Sequence, residues 1–220
     1  MTVASEKPAR FPERMTAPNS LGRFQARRRR VLALLVGVIF LALLFVRSET
    51  TPGDSLHEYV EWVGGALILI AILGRTWCTL YIGGRKSAEV VTGGPYSVTR
   101  NPLYLFSAIG AIGIGAMTGS MVIALAFGVM TWLAFLAVIV VEERFLEQAF
   151  GQPYRDYMER VPRFFPKPWL FHESAELTVR PDLIYRTFTD GLVFILAYPF
   201  FETVEYLQAA GILPVVLHLY

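Results

Sequence analysis

The sequence predicts an all-α integral membrane protein: a polytopic bundle of about five transmembrane helices, including a tight helical hairpin, plus a cytoplasmic helix. Three observations predict this fold. The 220 residues are 54% hydrophobic and the mean hydropathy is +0.47, which is more apolar than an ordinary soluble domain. Several apolar runs are long enough to cross a bilayer. Basic residues concentrate in alternate connecting segments, as they do in multi-span proteins.

The N-terminal part of the chain divides into a tail and the first two spans. Residues 1–26 contain three prolines and few large apolar side chains, so we expect a mobile cytoplasmic tail before a domain over residues 27–220. The basic run Arg27–Arg30 precedes the first predicted span, Val31–Val46, and is typical of a topology signal rather than a nucleic-acid contact. The second predicted span is Tyr59–Ile82.

The remaining apolar regions predict a hairpin and a C-terminal span. Leu103–Val141 is too long for one crossing, and the polar residues 118–120 predict a tight turn between two helices. The last region begins at Phe188–Phe201 and continues past two glutamates to Tyr220, a pattern that fits one tilted span or a broken helix. Three small residues in the third span favour close helix packing: Gly110, Gly113 and Gly115.

Charge distribution predicts the orientation. Of the 20 Lys and Arg residues, all but Arg47 and Arg75 lie before the first span, between the second and third, or after the fourth. The positive-inside rule therefore places the N-terminus in the cytoplasm. The single cysteine, Cys78, excludes an internal disulfide. The three histidines are far apart in sequence without the spacing of a metal site, so we expect no metal centre.

Two polar segments adjoin the predicted spans on the cytoplasmic side. They are Gly93–Tyr104 and Glu142–Pro166. Irregular backbone beside a bilayer usually lines a cavity, so we expect both segments to build one site. Glu142 and Glu143 lie about 100° apart around a helix, which lets one face the bundle and the other water. The intramembrane Arg75 is expected either to reach the interface or to pair with one of these glutamates.

The residues around Arg100 are suited to binding a carboxylate. Asn101 and Pro102 predict a capped helix start, which presents free N–H groups and a positive dipole end. Arg100 adds a guanidinium that can hold a carboxylate with two hydrogen bonds. The turn at residues 93–95 lets backbone approach a ligand closely, and Tyr96 adds an aromatic face. This composition suits a small zwitterionic or adenosine-like ligand.

Three motifs carry a resemblance to a known family. They are Leu-Gly-Arg-x-Trp from Leu73, VVTGGPYSVTRNPLY from Val90, and EERFLEQAFGQPYRDYMERVPRFFP from Glu142. In this order and spacing they resemble the isoprenylcysteine carboxyl methyltransferase family and, more loosely, the phospholipid N-methyltransferases. The resemblance covers Leu73–Pro166, a little under half of the chain. It implies an integral membrane enzyme that uses S-adenosylmethionine to methylate a lipophilic acceptor, a carboxylate or an amine, at the cytoplasmic membrane face.

The resemblance also implies roles for individual residues. The catalytic residues would be Arg100, Glu142 and Glu143. The cofactor-binding residues would be Ala88, Glu89, Val90, Val91, Tyr96, Asn101, Pro102, Leu103 and Tyr104. Phe150-Gly151, Tyr154 and Tyr157 match the turn and helix that pack beneath the site in the family. The implied partners are a lipid or lipophilic substrate and the membrane, with no nucleic acid.

Two departures from the family pattern bear on the substrate. Asn101 stands where the family usually has histidine, so a histidine base is not available at this position. Val138 stands where the eukaryotic prenylcysteine enzymes have an arginine, which weakens the case for a prenylcysteine carboxylate. Two rivals remain. One is a sterol-reductase-like enzyme, although Leu105-Phe106 replaces its usual Gly-Glu, and the other is a non-catalytic membrane relative that binds a lipid or a partner.

Overall fold

The structure is a helical bundle with a small two-stranded sheet. The computed structural model describes residues 41–48, 54–85, 89–173 and 176–219. The tail and most of the first predicted span lie outside these residues. The helices are α1 (Ser55–Ile82), α2 (Pro95–Val98), α3 (Pro102–Ala116), α4 (Met121–Phe150), α5 (Gln152–Arg160), α6 (Pro181–Leu192) and α7 (Ala197–Ala209). Two 3-10 turns, at Pro168–Leu170 and Val193–Leu196, and two strands, β1 (Val46–Ser48) and β2 (Leu217–Leu219), complete the described elements.

Helices α1 and α4 have the length and composition to cross a bilayer. They contain 28 and 30 residues, while the apolar α3 is shorter, with 15. The Asp54 side chain caps α1 by accepting a hydrogen bond from the N–H of Leu56 at 3.4 Å, and the helix ends at Ile82, the predicted end of the second span. Among the described residues, two long apolar helices thus support the expected membrane fold, while the full count of five spans stays a prediction.

The predicted hairpin is confirmed between α3 and α4. Gly119 reverses the chain with φ +66°, a left-handed conformation that favours glycine. The Ser120 hydroxyl then starts α4 by accepting a hydrogen bond from the N–H of Ile123 at 3.3 Å. Because the turn is so short, α3 and α4 lie side by side and bring Arg100 and the paired glutamates to the same end of the bundle.

Small residues allow α1 and α3 to pack closely, as predicted from the glycines of the third span. A Cβ added at Gly113 would lie 2.8 Å from the carbonyl oxygen of Gly64, and one added at Gly64 would lie 2.8 Å from the carbonyl oxygen of Gly113. Backbones therefore meet directly at this crossing, which is the geometry small residues permit in membrane bundles. This packing fixes the position of the N-terminal end of α3 relative to α1.

One feature corrects the all-α expectation, and a second decides between the two alternatives for the C-terminal region. Strands β1 and β2 pair in parallel, with Val46 opposite Leu217 and Ser48 opposite Leu219, so Val46 belongs to a strand rather than to the end of the first span. The C-terminal apolar region is the broken helix of the two alternatives, because the 3-10 turn Val193–Leu196 interrupts it. Gln208 on α7 donates to the carbonyl oxygens of Leu44 and of Val46 in β1, which ties α7 to this strand.

Candidate active site

A cavity of about 80 Å³ lies where α3 begins, among the ends of α1 and α4 and the helix α5. Most of the predicted site residues line it: Glu89, Val90, Val91, Tyr96, Arg100, Asn101, Leu103, Tyr104, Glu142 and Glu143. Pro102 is fully buried in the first turn of α3 beside this wall. Ala88 lies outside the described residues. The two polar segments of the sequence therefore form one cavity, as their positions predicted.

Glu143 is the centre of an ion-pair cluster. Its side chain is 7% exposed and meets two guanidinium groups. Arg163 Nε donates to Oε2 at 2.9 Å, while Arg100 Nε lies 3.1 Å from Oε1. The Asn101 amide also donates to Oε1 at 3.4 Å. Both oxygens of this carboxylate are already engaged by Arg163, Asn101 and the nearby Arg100, so Glu143 is better suited to positioning Arg100 than to base catalysis.

Glu142 has a different environment. Its Oε2 accepts a hydrogen bond of 2.7 Å from the Tyr104 hydroxyl, and its side chain lines the cavity. The Tyr104 ring is held in turn by Phe135 of α4, with 4.9 Å between ring centroids. The two adjacent glutamates thus have different partners, since Glu143 points into the ion-pair cluster and Glu142 into the cavity wall. Neither is an exposed side chain, so the expectation that one of them faces water is not met.

Arg100 is anchored on three sides. Its N–H donates to the carbonyl oxygen of Pro162 at 2.9 Å, and Nη1 donates to the carbonyl oxygen of Met158 at 2.7 Å. Its Nε is close to Glu143 but lacks hydrogen-bond geometry, and among the described residues it has no acceptor although it is buried. A buried donor without an acceptor carries a desolvation penalty, and such groups occur where a ligand supplies the missing partner.

The start of α3 differs in detail from the predicted cap. Pro102 occupies the first helical position as expected, but the Asn101 side chain accepts no hydrogen bond from the helix. It donates instead to Glu143 and to the carbonyl oxygen of Arg163 at 3.2 Å. The carboxylate of Glu143 competes successfully for the amide. The first-turn residues Leu103 and Tyr104 therefore present the positive end of α3 to the cavity without a cap from Asn101.

The turn before α2 brings Tyr96 to the cavity. Gly94 has φ +58° and ψ −131°, and its N–H donates to the carbonyl oxygen of His172 at 2.8 Å. Tyr96 is 5% exposed, and among the described residues its hydroxyl has no hydrogen-bond partner. Burial raises the pKa of Tyr96 well above its usual value, so the phenol is a neutral donor at neutral pH. It is the second buried donor on the cavity wall that lacks a partner.

The turn and helix expected beneath the site are present. Gly151 reverses the chain between α4 and α5 with φ +62°. Tyr154 and Tyr157 of α5 pack together at 5.9 Å between ring centroids, and the Tyr157 hydroxyl donates to the carbonyl oxygen of Tyr96 at 2.8 Å. Burial raises the pKa of both phenols, so α5 supplies a neutral floor to the cavity.

One of the two alternatives for Arg75 is excluded, and one residue was missed. Arg75 does not pair with Glu142 or Glu143: Nη1 donates to the Ser107 hydroxyl of α3 at 2.5 Å. The cation that pairs with Glu143 besides Arg100 is Arg163, which the sequence reasoning did not single out. The backbone hydrogen bond from Arg100 to Pro162 returns the segment after α5 to the bundle and brings Arg163 to Glu143, which no local sequence pattern indicated.

Comparisons with known proteins identify the family of the chain. The phospholipid methyltransferase family model matches residues 61–153. The chain is 36% identical over 205 residues to the cobalt-zinc-cadmium resistance protein CzcN of Cupriavidus metallidurans, covering 91% of this chain and 92% of that one. It is 34% identical over 208 residues to the nickel-cobalt-cadmium resistance protein NccN of Alcaligenes xylosoxydans, covering 91% and 93%.

A further relative is named as an enzyme. The chain is 34% identical over 140 residues to protein-S-isoprenylcysteine O-methyltransferase A of Arabidopsis thaliana, covering 58% of this chain and 71% of that one. No solved structure matches the chain. These relatives, together with the apolar helices and the polar cavity at their ends, assign the chain to the class of membrane methyltransferases. The chain belongs to the isoprenylcysteine carboxyl methyltransferase-like family, which confirms the resemblance seen in its motifs.

Proposed function

We propose that the protein transfers a methyl group from S-adenosylmethionine to a lipophilic acceptor at the cytoplasmic face of the membrane. One observation carries the proposal. Two buried donors, the Tyr96 hydroxyl and Arg100 Nε, have no hydrogen-bond acceptor among the described residues, and both lie on the wall of a single cavity that also receives the positive end of α3. Donors of this kind fit a ligand with a carboxylate and several hydrogen-bond acceptors, as the cofactor has.

The chain offers complementary groups for each part of the cofactor. Arg100 and the first turn of α3 suit its carboxylate, and the carboxylate of Glu142 suits a positive charge. Val90, Val91 and Leu103 supply apolar wall for its adenosine. The cofactor supplies an electrophilic methyl group when bound. Ligand sites usually have volumes of about 300 Å³ or more, so binding requires this narrow cavity to widen.

The protein's contribution to methyl transfer is alignment and exclusion of water. Such a displacement needs donor and acceptor in line within a dry site. Glu143 holds Arg100 in place from α4, and the segment after α5 closes the cavity through Arg163 and the backbone bond between Arg100 and Pro162. If the group that receives the methyl must first lose a proton, as an amine does, Glu142 is the carboxylate placed to take that proton.

Binding of S-adenosylhomocysteine tests the proposal. We expect the purified full-length protein in detergent to bind it with a Kd in the micromolar range by calorimetry. A protein that melts cooperatively but shows no binding would overturn the methyltransferase proposal and favour a non-catalytic relative. An NADPH-dependent absorbance change with a sterol-like substrate would instead favour the reductase alternative.

The pH dependence of the rate identifies the class of acceptor. A carboxylate is already ionised near neutral pH, so its methylation is expected to give a flat profile from about pH 6 to 9. An amine must first lose a proton, which gives a rate that rises with pH. In the amine case Glu142→Gln is expected to lower kcat at every pH, and an unchanged kcat would exclude Glu142 as the proton acceptor.

The relatives that match nearly the whole chain are named for resistance to nickel, cobalt, zinc or cadmium. We infer that methyl transfer by this protein contributes to tolerance of the same kind of ions. A strain without the gene is expected to stop growing at lower cadmium concentrations, and the wild-type gene is expected to restore growth. If Glu142→Gln restores growth equally well while its methyl transfer is abolished, the reaction has no part in tolerance.

A further inference from the structure

A second polar cluster lies at the opposite end of the bundle from the candidate active site. It borders a cavity of about 650 Å³ between the first turns of α1 and helix α7. His57 and Glu61 come from α1, and Glu205 comes from α7. The α3–α4 turn closes this end, and the 15 residues of α3 separate it from Arg100 by more than about 20 Å. The cluster therefore has no part in the proposed methyl transfer.

The two distances from His57 to the carboxylates match the edges of a tetrahedral metal site. His57 Nε2 lies 3.4 Å from Glu61 Oε1 and 3.5 Å from Glu205 Oε1, and ligand atoms of all three side chains lie within 4.8 Å of one another. Metal–ligand bonds of about 2.1 Å place neighbouring ligand atoms roughly 3.4 Å apart in tetrahedral coordination. A charge-assisted hydrogen bond from nitrogen to a carboxylate is shorter, about 2.7–2.9 Å.

Burial and charge also distinguish this cluster from ordinary surface carboxylates. The side chains of His57, Glu61 and Glu205 are 3%, 14% and 16% exposed. Two more carboxylates, Glu58 and Glu202, line the same cavity. Arg47 is the described basic side chain whose charge acts on Glu205. Four carboxylates around one imidazole and one guanidinium leave an excess of negative charge that a divalent cation would compensate.

The ligand atoms are held by rigid elements. His57 and Glu61 are four residues apart on α1, so both side chains leave the same face of the helix. The His57 ring packs directly on the hairpin turn, where a Cβ added at Gly119 would overlap ring atoms Cε1 and Nδ1. Glu205 is presented by α7, which is tied to the chain next to β1 through Gln208. Fixed ring orientation is the usual requirement for a histidine ligand.

We infer that His57, Glu61 and Glu205 form a binding site for a divalent transition-metal ion on the membrane face opposite the active site. One imidazole nitrogen and two carboxylate oxygens suit zinc, cobalt or nickel better than magnesium or calcium, which prefer oxygen ligands alone. Glu202 or water would complete the coordination from the cavity. The histidine spacing in the sequence predicted no metal centre, because the third ligand comes from a helix far along the chain.

Cobalt titration tests the site. The full-length protein, prepared without a polyhistidine tag and stripped with a chelator, is titrated with Co²⁺ while its visible absorption is followed. We expect one equivalent per chain to give the absorption bands of four- or five-coordinate Co²⁺, and Zn²⁺ to displace it. The isosteric change Glu205→Gln and the change His57→Ala are each expected to weaken Co²⁺ binding at least about tenfold.

The matched control is His172→Ala, which removes an exposed histidine at the other end of the molecule. It is expected to leave Co²⁺ binding unchanged. Binding of S-adenosylhomocysteine and the melting temperature are measured on every variant, so that loss of the metal site is distinguished from loss of the fold or of the proposed cofactor site. The inference is overturned if the wild-type protein gives no such absorption bands, or if folded Glu205→Gln and His57→Ala proteins bind Co²⁺ as the wild type does.

Discussion

Replacing Arg100 by alanine is expected to weaken S-adenosylhomocysteine binding roughly 30- to 150-fold, which corresponds to about 2–3 kcal/mol. The side chain is 10% exposed, and its Nε is a buried donor without an acceptor among the described residues. Alanine removes this donor and leaves the carboxylate of Glu143 with one cation fewer. The cavity wall becomes more negative, which disfavours a ligand that carries a carboxylate. Both effects act in the same direction.

The measurement compares the Kd for S-adenosylhomocysteine, obtained by calorimetry, of three variants that are each shown to be folded by their melting temperature. Arg100→Lys keeps the charge but not the guanidinium plane, so its affinity is expected to lie between those of the wild type and the alanine variant. Arg155→Ala is the control, because Arg155 pairs with Glu147 at 3.0 Å on the surface, where both side chains are substantially exposed. Such a pair contributes little, and the Kd is expected to change less than about twofold. Folded Arg100→Ala protein with wild-type affinity would exclude Arg100 from the cofactor site.

The parts of the candidate site that local sequence patterns determine could be predicted from the sequence. Residues 93–104 contain a turn and a helix start whose conformations are fixed by glycine and proline, and the hairpin at residues 118–120 sets which helix ends meet. These signals are short-range, so they predict that Arg100 and Glu142 share one end of the bundle. Helix geometry predicted different surroundings for the two adjacent glutamates, although both line the cavity rather than one facing water.

The contacts that were not predicted depend on which of several side chains, distant in sequence, pairs with a given polar group. Asn101 had the sequence signature of a helix cap, but the carboxylate of Glu143 takes its amide. For Arg75, pairing with a glutamate was one of two alternatives, but its guanidinium donates to Ser107 on the neighbouring helix, and Glu143 is already held by two arginines. The approach of His57 to Glu205 requires the fold itself. No periodicity in the sequence encodes which partner wins such a competition.

Replacing Gly94 by alanine is expected to destabilise the protein by roughly 2–6 kcal/mol and to abolish S-adenosylhomocysteine binding. Two costs combine. A φ of +58° with ψ −131° is a conformation that residues with a side chain rarely adopt, at about 1–3 kcal/mol. In addition, the new Cβ would overlap the ring of Tyr81, which is buried in the same cluster as Tyr96, and overpacking of this kind costs about 1–3 kcal/mol.

Gly151→Ala is a closely matched control for this change. Gly151 has nearly the same backbone conformation, φ +62° and ψ −131°, but an added Cβ would meet no atom within 4 Å. It therefore carries the backbone cost alone, and the difference in melting temperature between the two variants isolates the contact with Tyr81. If the melting temperature falls equally in both variants, the added Cβ at residue 94 has no extra cost, because the Tyr81 ring moves aside freely. If Gly94→Ala is the less stable of the two, the close approach of this turn to α1 holds Tyr96 and Arg100 at the cavity wall.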